Sequence, residues 1–316
     1  MSLKGSGGKV QFRLQQRAFD GRIFMRAVSA RFPNLFNFMR ADEALAPPPW
    51  ISEIFKVTAA RSDQVGDFAA TVAEGDHATL ISVCIPQAAG LEPGAFERAT
   101  FLAYSTIRSQ LGHHHAVRFW NHIPSIHAVM DSERDRYMVF NAGRFRAFET
   151  WYGSRAAFKK HVATASGVGH TGRDLVIHCL ATKWHGTAIE NPRQVASYQY
   201  SRRYGPLPPC FARATRVQCE KRDLVLVGGT ASIRGEDSIH LDSLALQLDE
   251  TFENLARLAP LNQYTHLRIY FRREQDVPEI LDAVQLAFGS LQGAEVVQAE
   301  LCRSELLVEI EGLAQL

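Results

Sequence analysis

The chain has 316 residues, with 35 Lys and Arg against 33 Asp and Glu, a formal charge of +2, and 46% hydrophobic residues. That length supports one large domain or two ordinary ones, and the balanced charge gives no global field for nucleic acid or a membrane surface. The five cysteines include no CxxC pair, which fits reduced thiols in a cytoplasm rather than a disulfide framework.

The first eight residues read as a flexible leader, and no run approaches the roughly 20 apolar residues of a membrane span. Residues 9–60 mix short apolar pieces with turns, and ALAPPPW (44–50) is a stiff polyproline connector. ATLISVCIP (78–86) predicts a buried strand. PGAFERATFLAYSTIRSQLG (93–112) predicts a helix that opens on Pro and stops at Gly, and HAVRFWNHI (115–123) predicts the next strand. SGVGHTGRD (166–174) lacks both GxGxxG and the Walker lysine, and reads as a turn before the strand LVIHCLA.

The second half repeats this rhythm. DLVLVGGTASI (223–233) predicts a strand pair with a Gly-Gly bend. DSLALQLDETFENLARLA (242–259) predicts an amphipathic helix, capped by Asp242 or Ser243, with Leu244, Leu248, Phe252 and Leu255 on one face. THLRIYFRR (265–273) is a strand, and DVPEILDAVQLAFG (276–289) is a second helix with Asp276 as cap and Gly289 as stop. AEVVQAELCRSELLVEIEGL (294–313) closes with strand character. The expectation is an α+β fold of two related halves, 1–150 and 151–316, each with helices covering one face of a sheet.

Several features carry possible chemistry. The run His113-His114-His115 has the wrong spacing for a metal site, because adjacent side chains diverge, and it reads as a surface loop after a helix. No metal is expected. No GxSxG occurs, and Cys302 beside Arg303 is a weak nucleophile candidate against the plainer reading of a small core filler. In LLVEIEG (306–312), Glu309 and Glu311 share one strand face. Two such carboxylates normally face solvent. A carboxyl hemmed by Leu307, Val308 and Ile310 is alternatively buried, which raises its pKa and suits it to general-acid work. The stretch 190–214, ENPRQVASYQYSRRYGPLPPCFARA, gathers four arginines, three tyrosines and four prolines. Guanidinium forks and phenol faces on a proline-stiffened loop suit a small, flat carboxylated ligand; the plainer reading is an exposed basic loop.

ENPRQVASYQY, RRYGPLPPCFARA and GTASIRGEDSIH, with RFWNHIPSI (118–126), YMVFNAGRFRAF (137–148) and CRSELLVEIEG, resemble the chorismatase family, also described as pteridine-dependent-dioxygenase-like. The resemblance covers roughly residues 75–313, and the part from about Asp174 onward also resembles a YjgF/RidA-like subunit, a sheet backed by two helices. It implies a cytoplasmic, cofactor-independent enzyme that removes the enolpyruvyl group of chorismate as pyruvate. The product would be 3-hydroxybenzoate, sometimes with 4-hydroxybenzoate, or, in hydrolytic members, a dihydroxycyclohexadiene carboxylate. It implies Glu309 as the acid that protonates the vinyl ether, with Glu311 on the same face but further from the pocket. Arg193, Arg213 and Arg272 would hold the carboxylates, Arg213 and Arg272 reading equally well as structural ion-pair partners, with Ala214 beside Arg213. Tyr204 would line the ring site next to Gly205. Cys302 resembles the small pocket residue of hydroxybenzoate-forming members. Cys302 and Glu309 are seven apart, so both reach one pocket only if the chain bends near Ser304 and Glu305. Glu236, Asp242, Ser243 and Ala212 depart from the family pattern, and Glu236 would bring negative charge towards an anion site. A non-catalytic aromatic or keto-acid binder is the alternative from another class; a pteridine-dependent oxygenase ranks last, for want of facial-triad spacing. Neither nucleic acid nor a membrane is expected as partner, and the chain would be a monomer or a homotrimer.

Overall fold

The alternating runs fold as two sheets, each flanked by a helix pair, in a computed structural model that describes residues 36–39, 45–54, 56–65, 68–289 and 291–316. The expected leader lies outside the described residues. The short strand β1 (Phe36–Met39) belongs to the second sheet. The first sheet contains β2 (Val57–Val65), β3 (Phe68–Gly75), β4 (Ala78–Ile85), β5 (His115–Pro124), β6 (Thr164–His170) and β7 (Leu175–Thr182), in the order β2-β3-β4-β7-β5-β6. Its helices are α1 (Pro93–Gln110) and α2 (Arg136–Tyr152), which pack on each other. The second sheet adds β8 (Thr187–Ile189), β9 (Ala214–Cys219), β10 (Arg222–Thr230), β13 (Tyr264–Phe271), β14 (Gly293–Gln298) and β15 (Val308–Gln315), in the order β1-β14-β13-β15-β10-β9-β8. Its helices are α3 (Leu244–Ala256) and α4 (Val277–Phe288), and a small ribbon of β11 (Ile233–Arg234) and β12 (Asp237–Ser238) follows β10.

The repeat is topological. In the first half β7 inserts antiparallel between β4 and β5, and β5 runs parallel to β6. In the second, β15 inserts antiparallel between β10 and β13, and β13 runs parallel to β14. The α+β expectation of two related halves is met, including a C-terminal sheet backed by two helices. The expected boundary at residue 150 falls inside α2, however, and β6 and β7 of the first sheet follow it, so the sheets part between Thr182 and Thr187. The returning strand of each repeat is the last to be made, and strand–helix–strand rhythm alone does not reveal it.

Local signals hold where chemistry is local. Asp135 caps α2 by accepting from the Met138 amide, and Ser243 caps α3 by accepting from Leu246. Gly289 ends α4 at a φ of 68°. Asp276 stands at the start of α4 without capping it, its carboxylate taken by Arg273. Two strand readings also fail. SGVGH is not a turn but most of β6, and the expected strand pair at 223–233 is one strand with a bulge followed by β11. In both, tertiary pairing overrides the glycine signal.

Phe96 and Tyr104 of α1 and Phe140 and Phe148 of α2 pack with Phe119 and Ile177 in the first core. Each such side chain contributes about 2 kcal/mol on burial. Another cluster joins the sheets: Val117 and Trp120 of β5 and Leu180 of β7 meet Val217, Leu226 and Leu313 of the second sheet. This contact sets the first sheet against the face of β15 that carries the acids.

Candidate active site

β15 alternates as predicted, but the face carrying Glu309 and Glu311 does not meet solvent. Glu309 is 3% exposed and Glu311 1%. Glu309 lies at the edge of a cavity of about 240 Å³ that is also lined by Tyr137 and Met138 from the start of α2, by Tyr200, Tyr204 and Arg213 from the 190–214 stretch, and by Cys302 and Arg303.

The room for the Glu309 carboxyl comes from β10. Between Val227 and Thr230 that strand carries one more residue than β15 opposite it, a bulge at Gly228 and Gly229. A methyl group on Gly229 would overlap the Glu309 carboxyl, so a side chain there would displace the carboxyl from this place. Burial pushes the Glu309 carboxyl up to about 8. The neighbouring Glu311 carboxylate adds to the rise, and Arg118, the Cys302 thiol and Arg213 oppose it. A carboxyl so placed keeps its proton near neutrality.

Cys302 and Glu309 meet, with Sγ 3.8 Å from Oε2. β15 begins only at Val308, and a turn at Ser304 and Glu305 precedes it, the bend that the parity of the two residues requires. The Cys302 thiol is pushed up to about 12, by burial first and by the Glu309 charge second. It is a neutral donor and wall, not a thiolate nucleophile.

The cations are arranged differently from the sequence expectation. Arg213 lines the cavity, donating to the Val195 carbonyl and the Tyr200 hydroxyl, while its buried Nε has no partner among the described residues. A buried donor left unmatched costs about 1–3 kcal/mol. Arg193 does not line the cavity. It pairs with Glu250 and Glu253 of α3, and Glu250 also holds Arg234. Arg272 is exposed just beyond β13 and does not line the cavity either. Ala214 is buried in β9 opposite Val227, and Gly205 turns at a φ of 112° against Met138; neither forms the cavity wall.

Sequence reasoning missed Arg303 as a site residue. Its guanidinium lies 4.1 Å from the Tyr204 ring centroid and 5.5 Å from that of Tyr200. It donates to the Tyr204 hydroxyl at 3.2 Å, to the Glu236 carbonyl at 2.8 Å and to Ser238 at 3.1 Å. Its place beside Cys302 was the only signal in the sequence. Tyr204 lines the cavity, and its hydroxyl accepts from Arg303. Glu236 is not part of the wall. Its carboxylate accepts from the Ser201 amide at 2.8 Å, a bond that pulls its pKa down and ties the β11–β12 ribbon to the tyrosine loop. Among the described residues no group of His, Cys, Asp or Glu is arranged to hold a metal ion.

The cavity thus pairs a carboxyl of raised pKa with the guanidinium groups of Arg203, Arg213 and Arg303 and the phenols of Tyr137, Tyr200 and Tyr204. That arrangement suits proton transfer to a small aromatic-sized acid. The chain matches the family described as chorismatase FkbO/Hyg5-like, N-terminal, over residues 53–181. It is 34% identical over 242 residues to a 3-hydroxybenzoate synthase of Streptomyces hygroscopicus, covering 70% of each chain. It is 26% identical to a chorismatase of Streptomyces rapamycinicus, covering 70% of this chain and 71% of that one. The crystal structure of a chorismatase superposes with a TM-score of 0.71 at 24% identity, over 80% of this chain and 79% of that one, so the fold is shared. On the identity and coverage of the Streptomyces hygroscopicus relative, the chain belongs to the chorismatase family.

Proposed function

We propose that this chain removes the enolpyruvyl group of chorismate as pyruvate and forms 3-hydroxybenzoate, without a cofactor. The observation that carries this reading is the buried, proton-bearing Glu309 at the edge of a cavity lined by Arg213 and Arg303. Chorismate is a dianion with a ring and a vinyl ether. Arg213 and Arg303, both lining the cavity, each offer a guanidinium to a carboxylate. Tyr200 and Tyr204, which line the cavity, would flank the ring.

Vinyl ethers break by protonation at the methylene carbon. Glu309 gives its proton there, the carbon becomes the methyl group of pyruvate, and the adjacent ether carbon becomes an oxocarbenium centre stabilised by the carboxylate Glu309 leaves behind. Pyruvate departs with the ether oxygen and leaves a cation at that ring carbon; the neighbouring ring hydroxyl closes on it as an epoxide, and its proton returns to Glu309. The epoxide reopens on protonation with its oxygen on the former ether carbon, and loss of that carbon's proton gives 3-hydroxybenzoate, with no net water consumed and Glu309 protonated again. General-acid catalysis of this kind supplies about 10²–10⁴-fold in rate. The name and 34% identity of the Streptomyces hygroscopicus relative support the aromatic product, and Cys302 against Glu309 supports it through the resemblance to hydroxybenzoate-forming members.

The test is purified protein with chorismate. Pyruvate release is followed through lactate dehydrogenase, and the second product is identified by chromatography. Hydroxybenzoate with equimolar pyruvate supports the proposal. A dihydroxycyclohexadiene carboxylate would replace the product, and ligand-induced stabilisation without pyruvate would mark a binding protein.

A further inference from the structure

Glu311 stands two residues beyond the acid on the same strand face and does not line the cavity. It is nevertheless among the most elaborately held side chains of the interior. Arg118 Nη2 donates to its Oε2 at 2.8 Å, the Trp120 indole donates to its Oε1 at 2.8 Å, and the Ser166 hydroxyl donates to Oε2 in a short bond. All three donors come from the first sheet, Arg118 and Trp120 from one face of β5 and Ser166 from β6. Each is at most 4% exposed. A buried carboxylate with three donors is held in place.

The clamp reaches Glu309 by two routes. The charge of Glu311 acts directly, since both carboxyls leave β15 on one side in a water-poor setting where a like charge disfavours ionisation. Ser166 supplies the second route. Its oxygen also accepts from the Gly229 amide at 2.8 Å, and Gly229 is the backbone on which the Glu309 carboxyl rests.

We propose that Glu311 is a positioning residue: its carboxylate, pinned by Arg118, Trp120 and Ser166, is the fixed negative charge that keeps the proton on Glu309, and through Ser166 and Gly229 it fixes where that carboxyl lies. The proposal rests on the reading of Glu309 as the acid. The first sheet then contributes the electrostatic setting of an acid that the second sheet carries. Among the charges acting on Glu309, Glu311 alone raises its pKa, while Arg118 and Arg213 lower it; Cys302 and Tyr137 are neutral, as is Tyr270, opposite Glu309 on β13, and Asp135, His127 and Arg203 line the same cavity further out. Glu305 and Arg303 line the same cavity from the turn before β15.

The experiment compares kcat/KM against pH for the wild-type protein and Glu311→Gln. Glu309 works protonated, so activity falls as pH rises through its pKa. Loss of the Glu311 charge leaves Arg118 unopposed, and the alkaline limb is expected to move down by about one pH unit or more, a roughly tenfold loss on that limb. A limb that stays in place, or activity scaled down equally at all pH values, overturns the proposal. Should the single variant fail to fold around a lone buried cation, the double variant Arg118→Met with Glu311→Gln removes both charges. Its limb is expected to move down by less, because Glu311 outweighs Arg118 at Glu309; an unmoved or rising limb counts against the idea. Infrared titration of the Glu309 carboxyl, with Glu309→Gln as blank, reads the same shift with no substrate present. A shift there without chorismate turnover retains Glu311 in its role and removes the proposed reaction instead.

Discussion

The carboxyl of Glu309 rests on the bare backbone of Gly229, with no space between them for a methyl group. The bulge of β10 and the acid of β15 are therefore one device: the extra residue bends the strand away, and the missing side chain admits the carboxyl. Gly229→Ala is expected to destabilise the fold by about 1–3 kcal/mol, as overpacking of a close-fitted interior does, and to lose most turnover. Chemical denaturation and pyruvate release check the two effects together. An alanine variant with full activity would mean that the carboxyl has another resting place.

Glu309→Gln keeps the shape of the side chain and removes the proton. Turnover is expected to fall by about 10²–10⁴-fold while chorismate still raises the melting temperature. Unchanged turnover in the pyruvate assay would take Glu309 out of the chemistry.

The raised pKa of Glu309 has a signature in stability as well as in rate. Its folded value of about 8 lies above the ordinary 4.5, so the folded state binds this proton more tightly than the unfolded chain does. The associated stability is fully present below about pH 4.5 and is lost as pH rises through 8. The melting temperature of the wild-type protein should therefore fall relative to that of Glu309→Gln between pH 5 and pH 8. A pH-independent difference between the two proteins would contradict the shift.

The arginines separate into two groups by what they touch. Arg213→Met and Arg303→Met are expected to raise KM about 10–100-fold, the effect of losing a charge-assisted contact of about 1.5–3 kcal/mol. Arg193→Met should leave KM in place and lower stability by about 1–3 kcal/mol, because it strips one partner from Glu250, itself only 3% exposed. Steady-state kinetics set beside denaturation curves distinguish the groups.

Cys302→Ala widens the cavity beside the acid and removes the thiol that donates to it. The expected outcome is a product ratio shifted from 3-hydroxybenzoate towards the hydrolytic diene, read by chromatography. With its thiol pushed up to about 12, Cys302 in the wild-type protein should also resist alkylation at pH 8.

The amino-acid sequence by itself determined what depends on neighbours along the chain. The periods of the strands and helices, the Ser243 cap and the Gly289 stop are local chemistry, and so is the shared face of Glu309 and Glu311. The motifs around Glu309, Arg213, Tyr204 and Cys302 also pointed to the residues that the fold gathers at one cavity. Tertiary structure decided everything that depends on a distant strand. The 166–170 glycines look like a turn until β5 pairs with them, and residue 150 looks like a boundary until β6 and β7 return to the first sheet. Arg193 and Arg213 have the same local chemistry, yet α3 places two carboxylates against the first and none against the second. Whether Glu309 is an ordinary surface acid or a proton-bearing one is likewise a matter of desolvation and of a charge held by Arg118, 191 residues away from it in the chain. Electric fields and burial are sums over space, and the order of residues along the chain leaves those sums open.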